Sequence, residues 1–228
     1  MMNKATYEEQ LLELQEQHRF ALHKISHEIR NPVTVINSLL QLIADQHPEV
    51  NDFECWDQIL DNMEFLKSLL NEISTFNRSS EVRRQTINVY YLLERIVMDA
   101  KTTLSGKNIG IQLQKHSALP PIDADSVKLR EVFLNLIRNS SEAIGENGNI
   151  TIGIGYENDS VVITFADDGP GIPEEYLPTI FEPFVTHKKE GTGLGLAIAK
   201  NIITSHNGTI SVESEAGNGT VFTVSLPI

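Results

Sequence analysis

Apolar positions in the first eighty residues recur at steps of three and four. Tyr7, Leu11, Leu14, His18, Ala21 and Ile25 lead into Ile29, Val33, Ile36, Leu40 and Ile43, the period of a long amphipathic helix with one stripe. His47-Pro48 ends it, since proline lacks the amide donor a helix needs. Phe53, Trp56, Ile59/Leu60, Met63, Leu66, Leu70 and Ile73 predict a second helix with its own stripe. Two antiparallel helices cannot hide such faces alone, so the pattern predicts a symmetric dimer built as a four-helix bundle. Packing of the hairpin on the rest of the chain is the alternative.

From about Thr86 the pattern changes. Tyr90 to Leu104, Ser126 to Ile144 and Thr192 to Ser205 read as helices. Ile109 to Leu113, Asn149 to Tyr156 and Val161 to Ala166 read as strands, and Thr209–Ser214 with Thr220–Leu226 as a hairpin around Gly217-Asn218-Gly219. The expected fold is a helical hairpin over 1–78, a linker over 79–87 with a flexible joint near 78–85, and an α+β sandwich of helices on a mixed sheet over 88–228.

Composition agrees with that division. All 14 glycines lie at or after Gly106, and helices avoid glycine. With 40% hydrophobic and 21% charged residues the chain is of globular composition. No apolar run reaches the roughly 18 residues of a membrane span, and MMNKATYEEQ lacks the pattern of a secretory signal. The one cysteine, Cys55, fits a reducing cytoplasm. A net charge of −13, from 18 basic and 31 acidic residues, argues against nucleic-acid binding.

Four short patterns carry candidate chemistry. In Ser26-His27-Glu28-Ile29-Arg30-Asn31-Pro32, the stripe through Ile25 and Ile29 puts His27 about 160–200° away, facing outward. Glu28 beside it can accept the Nδ1 proton and leave Nε2 as nucleophile, and Pro32 is expected to kink the helix one turn on. Asn135 and Asn139 share a helix face, with Val132, Leu136, Ile137 and Ala143 as the buried one. Amide oxygens there suit Mg²⁺, a hard ion held beside nucleotide phosphates. Asp167-Asp168-Gly169-Pro170-Gly171 follows a β-run, and a carboxylate at a strand end can accept the exocyclic amine of adenine. Gly191-Thr192-Gly193-Leu194-Gly195 opens a helix, a phosphate site by its free amides and dipole. Between these lie Phe181-Glu182-Pro183-Phe184 and Lys188-Lys189, a stretch suited to a lid. Each pattern alone is met by a solvated histidine, a polar helix face or an Asp-Gly turn; their joint order is specific.

In that order the patterns resemble the catalytic core of a two-component sensor histidine kinase. HEIRNP at 27–32 resembles the family's H-box and NLIRN at 135–139 its N-box. DDGPGIP at 167–173 and GTGLGLA at 191–197 resemble its glycine boxes, with FEPF at 181–184 the F-box between them. The general character is similar to the sporulation kinases of spore-forming bacilli. The resemblance implies a Bergerat-type ATP-binding α+β domain with ATP and Mg²⁺ as cofactors. It implies His27 as phospho-acceptor with Glu28 assisting, and Asn31 as a residue for dephosphorylating the partner. It also implies Asn139 on Mg²⁺ with Asn135 supporting, Asp167 on adenine with Gly169 and Gly171, and the loop Thr192, Gly193, Leu194, Gly195 with Lys188 near the phosphates.

Three departures stand out: Ser140 replaces the usual alanine, Glu142 stands where many members place a lysine, and His187 replaces a frequent threonine. Lys188 or Lys189 then takes that lysine's role. The implied partners are a second copy of the chain, the receiver aspartate of a response regulator and a small inhibitory protein on the helical stem. The implied setting is the cytoplasmic part of a membrane-anchored sensor. The competing readings are a gyrase-type ATPase and a nucleotide-binding scaffold without histidine transfer. Asn135 stands where those ATPases place a water-activating glutamate.

Overall fold

The computed structural model describes residues 4–188 and 191–228, with side chains described for Leu22 and from Lys24 onward. The stripe members Tyr7, Leu11, Leu14, His18 and Ala21 therefore lie outside the described side chains, and Lys189 outside the described residues. The chain forms two compact units, 1–78 and 79–228.

The first unit is a hairpin of α1 (Lys4–Gln46) and α2 (Trp56–Arg78), joined through a 3₁₀ turn over Pro48–Asp52. Its seam is built from Val33, Met63 and Leu70, with Leu40 and Leu66 against them. Val50 and Trp56 are buried at the turn end. Arg30 crosses the seam as a three-point tie. Its Nη2 donates to Leu70 O (3.2 Å), Ser74 Oγ (2.7 Å) and Asn71 Oδ1 (3.4 Å) on α2.

The seam corrects the expected stripe. Ser26 and Val33 are buried, whereas Ile25 and Ile29 are 50% and 41% exposed. Ile36, Leu39 and Ile43 are exposed beside them. These residues form a second apolar stripe, about 60–80° around α1 from the seam. A period of 3.6 cannot tell a face covered within the chain from one left open. Phe53, expected in the second helix, precedes it and is exposed. α1 runs on through Pro32.

The second unit places helices on one face of a five-stranded sheet. Its strands, in order across the sheet, are β2 (Asn108–Lys115), β4 (Asn147–Glu157), β5 (Ser160–Asp167), β7 (Thr220–Pro227) and β6 (Thr209–Ser214). β2 and β4 run parallel and the other pairs antiparallel. The covering helices are α3 (Val89–Thr103), α4 (Ser126–Ile144) and α5 (Gly195–Ser205). A separate ribbon pairs β1 (Gln85–Ile87) with β3 (Ile122–Ala124). Strict alternation sets the core: Ile150, Ile152 and Ile154 of β4, and Val161, Ile163 and Phe165 of β5, face the helices fully buried. Phe133 of α4 packs on Phe165 with ring centroids 5.6 Å apart.

The segment expected as a joint is anchored in its second half. Arg83 N–H donates to Asp125 Oδ2 (2.8 Å), Arg84 to Ser205 O (2.8 Å) and Thr86 Oγ1 to Asp123 Oδ1 (2.8 Å). Asp125 also caps α4 through the amides of Val127 and Lys128. Its own amide donates to Nε2 of the buried His206 (2.9 Å), whose Nδ1 donates to Ile202 O (2.7 Å).

Candidate functional site

Alternation along β5 decides where its last residue points. Val161, Ile163 and Phe165 face inward, so Asp167 does too, opposite Thr220 of β7. It is a carboxylate at the end of an apolar row, 8% exposed. Ser140 Oγ of α4 donates to its Oδ2 (2.9 Å) and Gly169 N–H to its Oδ1 (3.1 Å). Burial pushes the Asp167 carboxyl above the usual carboxylate value; the Ser140, Gly169 and Thr220 donors pull it back, and neighbouring Asp168 adds to the rise. Asp168 itself accepts from Asn149 N–H (2.7 Å) and Nδ2 (2.9 Å), which hold its pKa below the usual value.

The glycines around this carboxylate are sites of close approach. Gly171 has φ +72°, and a Cβ there would fall 2.1 Å from Glu215 O. A Cβ on Gly169 would press on Asp167 Oδ1 at 2.9 Å and meet Ala143. Ala143, expected in the buried face of α4, is exposed and looks toward this loop.

The second glycine segment packs on the asparagine face of α4. Asn135 is buried, takes Arg138 Nη2 on its Oδ1 (3.1 Å), and leaves no room for a Cβ on Gly195, which would lie 2.6 Å from that oxygen. Asn135 therefore meets the glycine loop itself. Gly193 has φ +70°, its carbonyl accepts Phe184 N–H (3.0 Å), and a Cβ would strike Phe184 C at 2.6 Å. Leu194 N–H turns back to Thr192 Oγ1 (3.3 Å). With that turn in place α5 starts at Gly195, three residues after the expected Thr192.

Asn139, one turn on from Asn135, accepts Lys188 Nζ on its Oδ1 (3.3 Å). The same ammonium pairs with Glu142, which also faces Arg138 Nε at 3.8 Å. Amide and carboxylate oxygens are hard donors, and a cation already rests on them; the set fits Mg²⁺. His187 stacks on Tyr176 at 3.5 Å between centroids.

In the hairpin, His27, Glu28 and Asn31 are exposed on α1. His27 looks away from the open apolar stripe of Ile25, Ile36 and Ile43, about 160–200° around the helix. Glu28 lies 4.0 Å from Lys24 one turn back.

Two family profiles cover most of the chain: "His Kinase A (phospho-acceptor) domain" fits residues 17–81, and "Histidine kinase-, DNA gyrase B-, and HSP90-like ATPase" fits 124–228. The solved catalytic domain of the histidine kinase ThkA is 33% identical, covering 64% of this chain and 95% of its own, with a TM-score of 0.59. The chain belongs to the histidine kinase family. Sporulation kinase C of Bacillus subtilis is 34% identical over 90% of this chain and 47% of its own length. Full-length ShkA, solved with AMPPNP, is 26% identical with a TM-score of 0.77, covering 91% of this chain and 45% of that one. ThkA solved with the response regulator protein TrrA is 27% identical over the whole chain and 67% of that one, with a TM-score of 0.69. The chain spans about half the length of the curated relatives it matches.

In this histidine kinase core, the nucleotide-binding residues named from sequence fall into two groups on α4. Asp167, Gly169 and Gly171 gather at the Ser140 end, and Thr192, Gly193, Leu194, Gly195 and Lys188 gather at Asn135 and Asn139. Sequence reasoning missed the Arg30 tie and the Asp168–Asn149 bridge. It marked Ser140 only as a departure, although its place one residue after Asn139 was the available signal.

Proposed function

We propose that this chain is the catalytic core of a sensor histidine kinase that phosphorylates His27 from ATP and passes the phosphoryl group to a receiver aspartate. The observation that carries the reading is the hydrogen-bonded, buried Asp167 beside a glycine-lined loop, in a chain that also presents an exposed histidine on a helical hairpin. Asp167 accepts the adenine amine, and Gly169 and Gly171 let the base approach backbone. Amides at the start of α5 and the Lys188 ammonium receive the phosphates. Asn139 and Glu142 would hold Mg²⁺, which would neutralise charge on the triphosphate. Lys188 moves from Asn139 to phosphate as nucleotide enters.

Transfer proceeds in line. His27 Nε2 attacks the γ-phosphorus, the bond from that phosphorus to the bridging oxygen breaks, and ADP leaves with the electron pair. Glu28 takes the Nδ1 proton. Catalysis comes mainly from position and charge. Asn135 provides no general base for water, which disfavours rapid ATP hydrolysis.

The open stripe of Ile25, Ile29, Ile36 and Ile43 supports a homodimer, which leaves His27 accessible. Similarity to Sporulation kinase C supports a finer reading, a place in a sporulation phosphorelay, and similarity to ThkA solved with TrrA supports a response regulator as partner; a small inhibitory protein on the stem belongs to the same proposal. Membrane anchorage of a longer sensor belongs to the same proposal; among the described residues no helix is long and apolar enough to cross a membrane.

The test is incubation with γ-labelled ATP and Mg²⁺. Acid-labile, base-stable label on the wild type and none on His27→Gln is expected. Nucleotide binding without labelled histidine sinks the reading in favour of a scaffold, and rapid phosphate release in favour of an ATPase.

A further inference from the structure

We propose that Ser140 is a nucleotide-positioning residue whose hydroxyl fixes the Asp167 carboxylate to receive an adenine amine, and so sets the preference for adenine over 6-oxo purines. The proposal rests on the reading of Asp167 as the adenine acceptor.

Serines inside helices ordinarily bond a carbonyl one turn back. Ser26 does so to Leu22 O (2.7 Å), and Ser141 to Arg138 O (2.9 Å). Ser140, between Asn139 and Ser141 and 1% exposed, instead reaches across to β5 and donates to Asp167 Oδ2. The two carboxylate oxygens thus have separate donors on separate elements, Ser140 of α4 on one and Gly169 N–H on the other. Those two bonds fix the plane of the carboxyl group. An ionised carboxylate only accepts, and lone pairs remain for one more donor. The adenine amine is a donor; the 6-oxo group of guanine is an acceptor and meets repulsion.

Protonated Asp167 reverses that choice, because it donates to a 6-oxo group. Burial and the Asp168 charge favour protonation, while the Ser140, Gly169 and Thr220 donors oppose it. Removing the Ser140 hydroxyl leaves two of the three, so the carboxyl takes up its proton at higher pH. Alanine fits the space of serine.

The experiment measures ATP and GTP dissociation constants with Mg²⁺ between about pH 5 and 8. It uses the full chain as wild type, Ser140→Ala, Asp167→Asn and the double variant. Losing a buried bond to a charged acceptor predicts about tenfold weaker ATP binding in Ser140→Ala. GTP binding does not weaken, and the adenine preference decays at higher pH than in wild type. In the Asp167→Asn background Ser140→Ala adds no further loss. An unchanged ATP affinity, purine preference and pH profile overturns the proposal. So does a loss that adds fully to that of Asp167→Asn, the mark of a merely structural role. Asp167→Asn binding ATP like wild type overturns instead the adenine reading on which the proposal stands.

Discussion

Asn139 offers its amide oxygen to a cation, and the cation resting there in the structure is the Lys188 ammonium, with Glu142 as its second anchor. If Asn139 holds Mg²⁺ as proposed, Asn139→Ala should lose binding that depends on the metal. Calorimetric titration with ATP should show at least about tenfold weaker affinity with Mg²⁺ and little change in chelator. An affinity of Asn139→Ala equal to that of the wild type with Mg²⁺ present refutes the role. At the acceptor end, the roles proposed for Glu28 and Asn31 divide two reactions. A carboxylate beside the imidazole provides general-base help worth about 10²–10⁴-fold, and an amide does not. Glu28→Ala should slow autophosphorylation by that order, while Asn31→Ala spares it and weakens dephosphorylation of the phosphorylated receiver. Equal slowing of labelling by both variants would end the division.

At this scale the carriers of charge and the glycines were legible, because each belongs to a short pattern with its own spacing. The Ser140–Asp167 bond joins positions 27 apart. It becomes visible only once β5 is known to turn its last inward residue beneath α4.

Between elements, the question for α1 is which of its two apolar stripes belongs inside the chain. Val33 meets Met63 and Leu70, and Arg30 pins that register to the α2 backbone; Ile36 and Ile43 face outward. Ile36→Asp with Ile43→Asp should therefore give a monomer by light scattering with ATP binding retained, and a dimer that survives both changes locates the interface elsewhere. Helices of the second unit were legible from their long apolar period, and α4 begins and ends at its expected residues. Its start also had a local cue in the Asp125 cap. The β1–β3 ribbon went unseen because three residues each, such as Gln85-Thr86-Ile87, are too few to show alternation. Once paired, that ribbon fastens residues expected to form a joint.

For the whole molecule, acid stability turns on one buried cluster at the root of α4. Burial is the main cause that holds the His206 pKa below its ordinary 6.5, and the Arg84 charge adds to it. The Ile202 carbonyl and Asp125 work against this shift without cancelling it. The unfolded chain then takes up the proton first, so His206 contributes stability that is complete above about pH 6.5 and fades as pH falls toward its folded value. Burial pushes the Asp125 carboxyl up, but the Arg83, Lys128 and Val127 amides and His206 leave it below the usual value. Its contribution is lost further down, through the carboxylate range. Asp167, shifted upward, has the opposite sign and recovers part of its cost there. Urea midpoints for the 79–228 unit should thus hold level above neutrality and drop from about pH 6.5 downward; a midpoint that rises on acidification contradicts the cluster's sign.

Trp56 is the single tryptophan of the chain, and it is buried where α2 leaves the turn, its indole nitrogen without a hydrogen-bond partner. The nucleotide-binding unit contains tyrosines and phenylalanines but no tryptophan. Light absorbed at the red edge of the aromatic band therefore excites one unit alone. Its emission colour follows the wetting of the hairpin tip, while ellipticity near 275 nm adds the tyrosines of the other unit to the share of Trp56. Emission therefore isolates the melting of the hairpin, and its difference from the ellipticity melt reports the other unit, in the same cuvette and without attaching a dye.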